Sequence, residues 1–401
     1  MGQIVKLFQF ERISGVLLIV AILLALAAAN SPLAPIYNVV HHTPIHIRLG
    51  PLVIDEPLVR WINEGLMVLF FVLVGLEIKR HFLEGHLSTA KRAALPAIAA
   101  LGGMAIPAAV YAALNWSDPI AIRGWAIPTA TDIVLALGLL SLLGARVPTS
   151  LKVFLTALAI FDDIGAVLII GLFYAESLYL NALLVAGSAL LGLALLNVLR
   201  VTRPAAYVVL GVVLWVAIFK SGVESALAGV LIALAVPLRA PGCRCSSPLR
   251  ATERRLHPWA VLGIVPLFAF FNAGVTIDPN ILTSFPNAVF AGIFGGLFLG
   301  KQLGIIATAW AAVALGLAQL PQGVTWAQLH AVAVLAGMGF TMSLFIASLA
   351  FVSPPALASA KLSILSGSLI SGIVGLSLVY LTTARPRPAP AENSNLSRSS
   401  L

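Results

Sequence analysis

Apolar residues along this 401-residue chain fall in long runs separated by short polar or Pro/Gly-rich breaks. The runs lie at 13–29, 61–77, 95–114, 120–143, 150–174, 180–199, 205–219, 222–238, 258–275, 288–312, 330–351 and 362–381. Most approach the roughly 20 apolar residues a helix needs to cross a bilayer core. The pattern therefore predicts an all-α membrane protein with twelve transmembrane helices, the seventh and eighth short enough to be tilted or partly buried. Lys6 and Arg12 precede the first run, which ends Ala27-Ala28-Ala29 as a signal-peptidase site would. Seventeen residues is long for a signal-peptide core, and retaining the run as a helix keeps the span count even.

Three stretches depart from the pattern. Within 30–60, His46-Ile47-Arg48-Leu49 and Leu52-Val53-Ile54 alternate on either side of Gly50-Pro51, which predicts a small outer-face β-hairpin. Residues 239–257 read as a basic cytoplasmic loop. Residues 383–401, rich in Pro, Ser, Asn and Arg, read as a disordered cytoplasmic tail behind one polytopic domain spanning 1–382.

Composition agrees. The chain is 60% hydrophobic, 10% charged and has mean hydropathy +1.02, whereas soluble domains carry about 25% charged residues. The net charge of +9 needs no nucleic-acid partner, because loops on the cytoplasmic side of membrane proteins are enriched in Lys and Arg. With twelve spans, one set of faces collects 18 basic residues and the other only Arg48, Arg60, Arg123 and Lys220. Both termini are thereby expected on the cytoplasmic side of an inner membrane. Cys243 and Cys245 share one polar loop and read as reduced thiols without structural duty.

Against this background four spans carry residues a lipid-facing helix avoids. The fourth contains Pro128-Thr-Ala-Thr131-Asp132, the fifth Asp162-Asp163, the tenth Lys301, and the eleventh Gly337-Met-Gly339-Phe-Thr341. Each has a plain structural reading. Asp132 N-caps a helix that restarts after Pro128, Lys301 snorkels, and the glycines let helices pack closely. A charge at the bilayer centre nevertheless costs at least ~2.5–3.5 kcal/mol. Three carboxylates, one amine and two interruptible helices at one depth together point to a shared polar cavity, since buried charges need partners. Interrupted helices in matching positions of two halves mark transport sites. Gly102-Gly103 and Gly295-Gly296 are the one local echo between the halves.

The motifs Gly124-Trp-Ala-Ile-Pro128-Thr-Ala-Thr131-Asp132-Ile, Leu158-Ala-Ile-Phe-Asp162-Asp163-Ile-Gly165-Ala and Gly337-Met-Gly-Phe-Thr341-Met-Ser resemble those of bacterial NhaA-type Na⁺/H⁺ antiporters. So do Phe70-Phe-Val-Leu-Val-Gly75-Leu-Glu77-Ile-Lys79-Arg80 and His257-Pro258-Trp259, and the likeness runs from about residue 8 to 382. The resemblance implies an inverted-repeat core, about 95–174 and 288–381, in which spans 4 and 11 are unwound and cross, with the remaining spans forming a dimer panel. It implies that Asp163 binds the cation, that Asp162 pairs with Lys301, and that Thr131 and Asp132 line the crossing. Na⁺ would be held by Asp163, Asp162 and Thr131. It also implies a cytoplasmic charge cluster that sets a pH response, to which Glu77, Arg80, Glu253 and His257 correspond. The chain departs from that pattern at His81, where an acid is expected, at Glu224, where a histidine is expected, and at Arg254-Arg255. The segment 45–58 resembles the family's dimer-forming element, so a homodimer is expected.

The residues support the same chemistry. Adjacent carboxylates in a low-dielectric site titrate as a coupled unit. Helical neighbours lie about 100° apart, so one aspartate can face a cavity while the other faces Lys301. Protons and Na⁺ (or Li⁺) then compete for one site, and exchanging more than one proton per cation makes transport electrogenic. No cofactor is called for, and Lys361 receives no transport role. Three other readings are an intramembrane aspartyl protease built on a two-aspartate dyad, a passive cation channel, and a proton-coupled symporter. Lys301 argues against the first, and the symporter lacks a large polar cavity signal.

Overall fold

The computed structural model describes residues 2–49, 52–84, 90–174, 178–239, 247–276 and 287–383. Cys243, Cys245, the Gly50-Pro51 turn and the tail beyond Thr383 lie outside these residues. Helices α1 (Gly2–Ala29) and α2 (Ala34–His42) precede strands β1 (Pro44–Leu49) and β2 (Leu52–Pro57). A long helix α3 (Leu58–Glu84) and α4 (Ala90–Asn115) follow. Next come a 3-10 helix (Ala121–Thr129), α5 (Ile133–Leu142) and α6 (Thr149–Phe173). Then α7 (Leu180–Val198), α8 (Pro204–Ser221), a short α9 (Ala226–Ala235) and α10 (Pro248–Ala273). The chain closes with α11 (Ala288–Ala314), α12 (Trp326–Leu335), α13 (Phe340–Ala350) and α14 (Pro354–Thr382).

Among the described residues, ten helical stretches are long and apolar enough to cross a membrane, and α12 with α13 make one further span bent by 45°. The chain is a multi-pass membrane protein. α7 displays the reason on its surface: Leu180, Leu184, Leu191 and Val198 are all exposed, as lipid-facing side chains are. Inside, Phe71 and Phe268 pack against Phe345 at 6.0 and 6.1 Å between ring centres, tying α3, α10 and α13 together. α4 and α11 approach until their backbones touch. A Cβ on Gly102 would fall on the Gly304 carbonyl, and one on Gly304 on the Gly102 carbonyl.

The predicted hairpin is present, β1 and β2 pairing antiparallel with Ile47 opposite Ile54. Its neighbourhood holds more than alternation revealed. α2 buries Tyr37, whose Oη donates to the Phe270 carbonyl at 2.7 Å. Three expectations need correction. The first helix extends back to Gly2. The eighth run folds only over Ala226–Ala235, because Gly222 (φ 80°) ends α8 and Pro237 follows the C-terminus of α9. The second half of the 239–257 loop is helix. Ser247 caps it, accepting from the Arg250 amide at 3.3 Å, Pro248 occupies its first turn, and Leu249 is buried while Arg250, Arg254 and Arg255 stay exposed. Lys79 closes α9 from the side, donating to the Leu234 and Val236 carbonyls at 2.6 and 2.7 Å.

Candidate functional site

Two helix breaks face each other inside the molecule. In the first, Pro128 contributes no amide hydrogen, and the chain runs extended through Ala130 (ψ 153°) before α5 begins. Thr129 turns back on the 3-10 helix, its Oγ1 donating to the Ala126 carbonyl at 2.7 Å. In the second, α12 ends at Leu335 and α13 begins at Phe340. Gly337 sits where a Cβ would strike the Leu297 carbonyl. Gly337 and Gly339 both lie between α12 and α13, and both are closely packed, Gly339 against the Ala130 carbonyl and Ser343.

Asp132 joins the two breaks. Its amide donates to the Met338 carbonyl at 2.6 Å. Its Oδ1 accepts from the Leu135 amide at 3.0 Å, capping α5. Its Oδ2 accepts from the Thr341 amide at 3.0 Å and hydroxyl at 2.5 Å in the first turn of α13. One carboxylate thus answers two helix N-termini, each worth about half a positive charge. Ser343 Oγ ties α13 to the 3-10 helix through the Ile127 carbonyl at 2.7 Å, and Ser368 Oγ accepts the Phe340 amide at 3.2 Å.

Beside this crossing lies the charged pair. Lys301 follows a π-helical segment, Gly296–Gly300, and its side chain is fully buried. Its Nζ is 2.8 Å from Asp162 Oδ2 and also donates to the Thr129 carbonyl. Thr131 Oγ1 lies 2.6 Å from the same Asp162 oxygen and 2.9 Å from the Ala336 carbonyl, so its one hydrogen is shared between two acceptors. Asp162 Oδ1 is buried without a hydrogen-bond partner. The snorkelling reading of Lys301 is excluded by this geometry. An ion pair so fully removed from water holds only because each partner is also hydrogen-bonded.

Asp163, one residue on, is equally buried at 3% exposure, but its carboxylate makes no hydrogen bond or ion pair among the described residues. The charged groups that act on it are Asp162, Asp132, Glu77 and Lys301. Lys301 is the one cation among these four groups, and its ammonium is spent on Asp162. Among the described residues no three His, Cys, Asp or Glu side chains are grouped as a resident metal site.

The remaining predicted residues gather elsewhere. Glu77, Arg80, Glu253 and His257, joined by His81, line a cavity of about 380 Å³. Arg80 Nε donates to both Glu253 oxygens at 2.9 and 3.0 Å. The cavity also touches Ser14, Phe70 and Val74 and extends to Ile133 and Val134, the residues directly after Asp132. Sequence reasoning missed Ser343, Ser368 and the carbonyls of Thr129, Ala336 and Met338. The serines differ in nothing from packing residues, and a backbone oxygen has no signature in composition.

Residues 5–379 match the family model described as Na⁺/H⁺ antiporter 1. The chain is similar to the Na(+)/H(+) antiporter NhaA of Rhodospirillum rubrum, 51% identical over 391 residues, which cover 96% of this chain and 98% of that protein. It is similar also to the Na(+)/H(+) antiporter NhaA of Pseudomonas putida, 48% identical with 95% and 98% covered. A third relative, Na(+)/H(+) antiporter NhaA 1 of Syntrophotalea carbinolica, is 50% identical with 92% and 94% covered.

Proposed function

The chain belongs to the NhaA family of Na⁺/H⁺ antiporters, transporters rather than enzymes, and from that premise we propose that it expels Na⁺ or Li⁺ from the cell in exchange for more than one proton. The observation that carries this reading is the contrast between neighbours. Asp162 is tied to Lys301 and Thr131, whereas Asp163 has no ion-pair partner among the described residues.

A buried carboxylate without a counterion must take up a cation, either a proton or a metal ion. Asp163 is therefore the point of competition. Na⁺, a hard cation, draws oxygen ligands, and Asp163, Asp162 and Thr131 Oγ1 supply them. Lys301 stands in the way, since its ammonium already occupies Asp162 Oδ2. For Na⁺ to use that oxygen, Lys301 must withdraw or surrender a proton. One proton from Asp163 and a second from the Lys301–Asp162 pair then balance each cation, and net charge moves inward. The membrane potential contributes about 2.3 kcal/mol per net charge per 100 mV to that step.

Twelve spans, with α8 and α9 making the seventh and eighth, place both termini on the cytoplasmic side of the inner membrane. The core consists of inverted repeats at about 95–174 and 288–381. Access alternates as the crossing at Asp132 rocks, with the Glu77–Arg80–Glu253–His257 cavity as the cytoplasmic approach and the locus of pH control. The hairpin at 45–58 joins two copies.

The aspartyl protease reading requires two acids sharing one proton. Lys301 on Asp162, and the doubly capping Asp132, leave no such pair. The test is Na⁺-dependent proton flux in reconstituted vesicles held at different potentials. Exchange is expected to accelerate as the side receiving the protons becomes more negative, and potential-independent rates would contradict the two-for-one count.

A further inference from the structure

Glu224 occupies the 222–225 loop between α8 and α9. Ser225 Oγ donates to Glu64 Oε2 at 3.1 Å, which fixes this loop against the start of α3. Glu77 lies 13 residues further along the same helix, about 20 Å away at 1.5 Å per residue. Glu224 is 8% exposed, and its Oε1 is buried without a hydrogen-bond partner. The Ser225 and Ala226 amides hold the carboxyl at the N-terminus of α9.

Its surroundings are acidic. Arg60 is divided between Glu64 Oε1 at 2.6 Å and Glu56 Oε2 at 3.1 Å. Glu64 and Arg60 are the charged groups acting on Glu224, and Lys220 on α8 is directed to the hairpin, donating to the Val53 carbonyl at 2.7 Å. A buried, unpartnered carboxylate oxygen next to a second carboxylate is costly when ionised. As a neutral acid the repulsion disappears.

We propose that Glu224 is a proton-binding site, its proton held in the buried cleft between Glu64 and the first turn of α9. The ligand is a proton rather than a metal ion, because the Arg60 guanidinium already fills the cationic position between Glu56 and Glu64. Burial first, and the Glu64 carboxylate second, push Glu224 up to about 8 against the opposing pull of Arg60 and the two amides. The proton therefore leaves in mildly alkaline medium, and the newly charged Glu224 repels Glu64 at one end of α3 while Glu77 and Arg80 sit at the other. Only the assignment of this end to the outer face rests on the transport reading.

Infrared difference spectra of the purified protein, recorded across pH 6–10, test the site without any transport assay. The wild-type spectra minus those of Glu224→Gln should contain a protonated-carboxyl band that disappears with a midpoint near 8. In Glu64→Gln the midpoint should fall by roughly one pH unit or more, because the repelling charge is gone. Sodium-driven exchange should persist in both variants. No such band in the wild-type-minus-Glu224→Gln difference, or an unmoved midpoint for it in Glu64→Gln, would overturn the proposal.

Discussion

At the scale of single residues, the site is organised by which carboxylates have partners. Lys301 compensates Asp162 at 2.8 Å with both side chains inaccessible to solvent. Removing the amine leaves a buried charge unpaired, which costs about 3–5 kcal/mol. Lys301→Ala should therefore lower the thermal midpoint in detergent markedly, and adding Asp162→Asn should recover part of the loss. Equal midpoints for the single and double variants would show that the pair is not coupled. Glu224 gives a prediction of different sign. Its folded value of about 8 stands above the ordinary 4.5, so between those limits the folded protein holds a proton that the unfolded chain releases. Stability from this group accordingly declines as pH rises from 5 to 8 and levels off above. The thermal midpoint of Glu224→Gln should gain on the wild type across that window, and parallel curves would contradict the assignment.

Much of the residue-level site was legible because ionisable groups stand out in apolar runs. Asp132, Asp162, Asp163 and Lys301 drew attention for that reason, and the structure sets two groups side by side, Thr131–Asp162–Lys301 and Asp132–Thr341. What remained hidden was which side chain faces which. Adjacent positions in sequence gave Asp162 two polar partners, Lys301 and Thr131, and Asp163 none among the described residues, a difference set by helix rotation and not by residue type.

At the scale of elements, the two breaks depend on positions where nothing larger than hydrogen fits. Gly337 lies against the Leu297 carbonyl, a backbone atom that cannot move aside cheaply. Gly337→Ala should cost about 1–3 kcal/mol as an overpacked site and reduce exchange several-fold, measured as Na⁺-driven proton flux per mole of folded protein. Undiminished flux would show that the α12–α13 break tolerates displacement. Helix extents were readable to the degree that hydrophobicity defines them. The failures have physical causes. The charged residues of 248–257 obscured a helix whose outer side is solvated, and α2 is short enough to pass for a loop between a span and the hairpin.

At the scale of the whole molecule, the fold is a lipid-exposed exterior of leucine and valine around an interior where α4 and α11 touch and two broken helices cross. This arrangement lets irregular backbone exist at membrane depth, since the Asp132 and Thr341 amides and the Ile127, Ala336 and Met338 carbonyls find partners from the other break. A charged residue survives there when it has an internal counterion or when its role is to exchange external ones. Asp163 is in the second class. The decisive measurement is Na⁺-driven proton flux by Asp163→Asn in proteoliposomes beside the wild type, with matched protein and an unchanged thermal midpoint. The account predicts that the variant folds and loses Na⁺-dependent exchange by at least about a hundredfold, equivalent to some 2.7 kcal/mol. Exchange at the wild-type rate would place the competition between Na⁺ and protons somewhere other than this carboxylate.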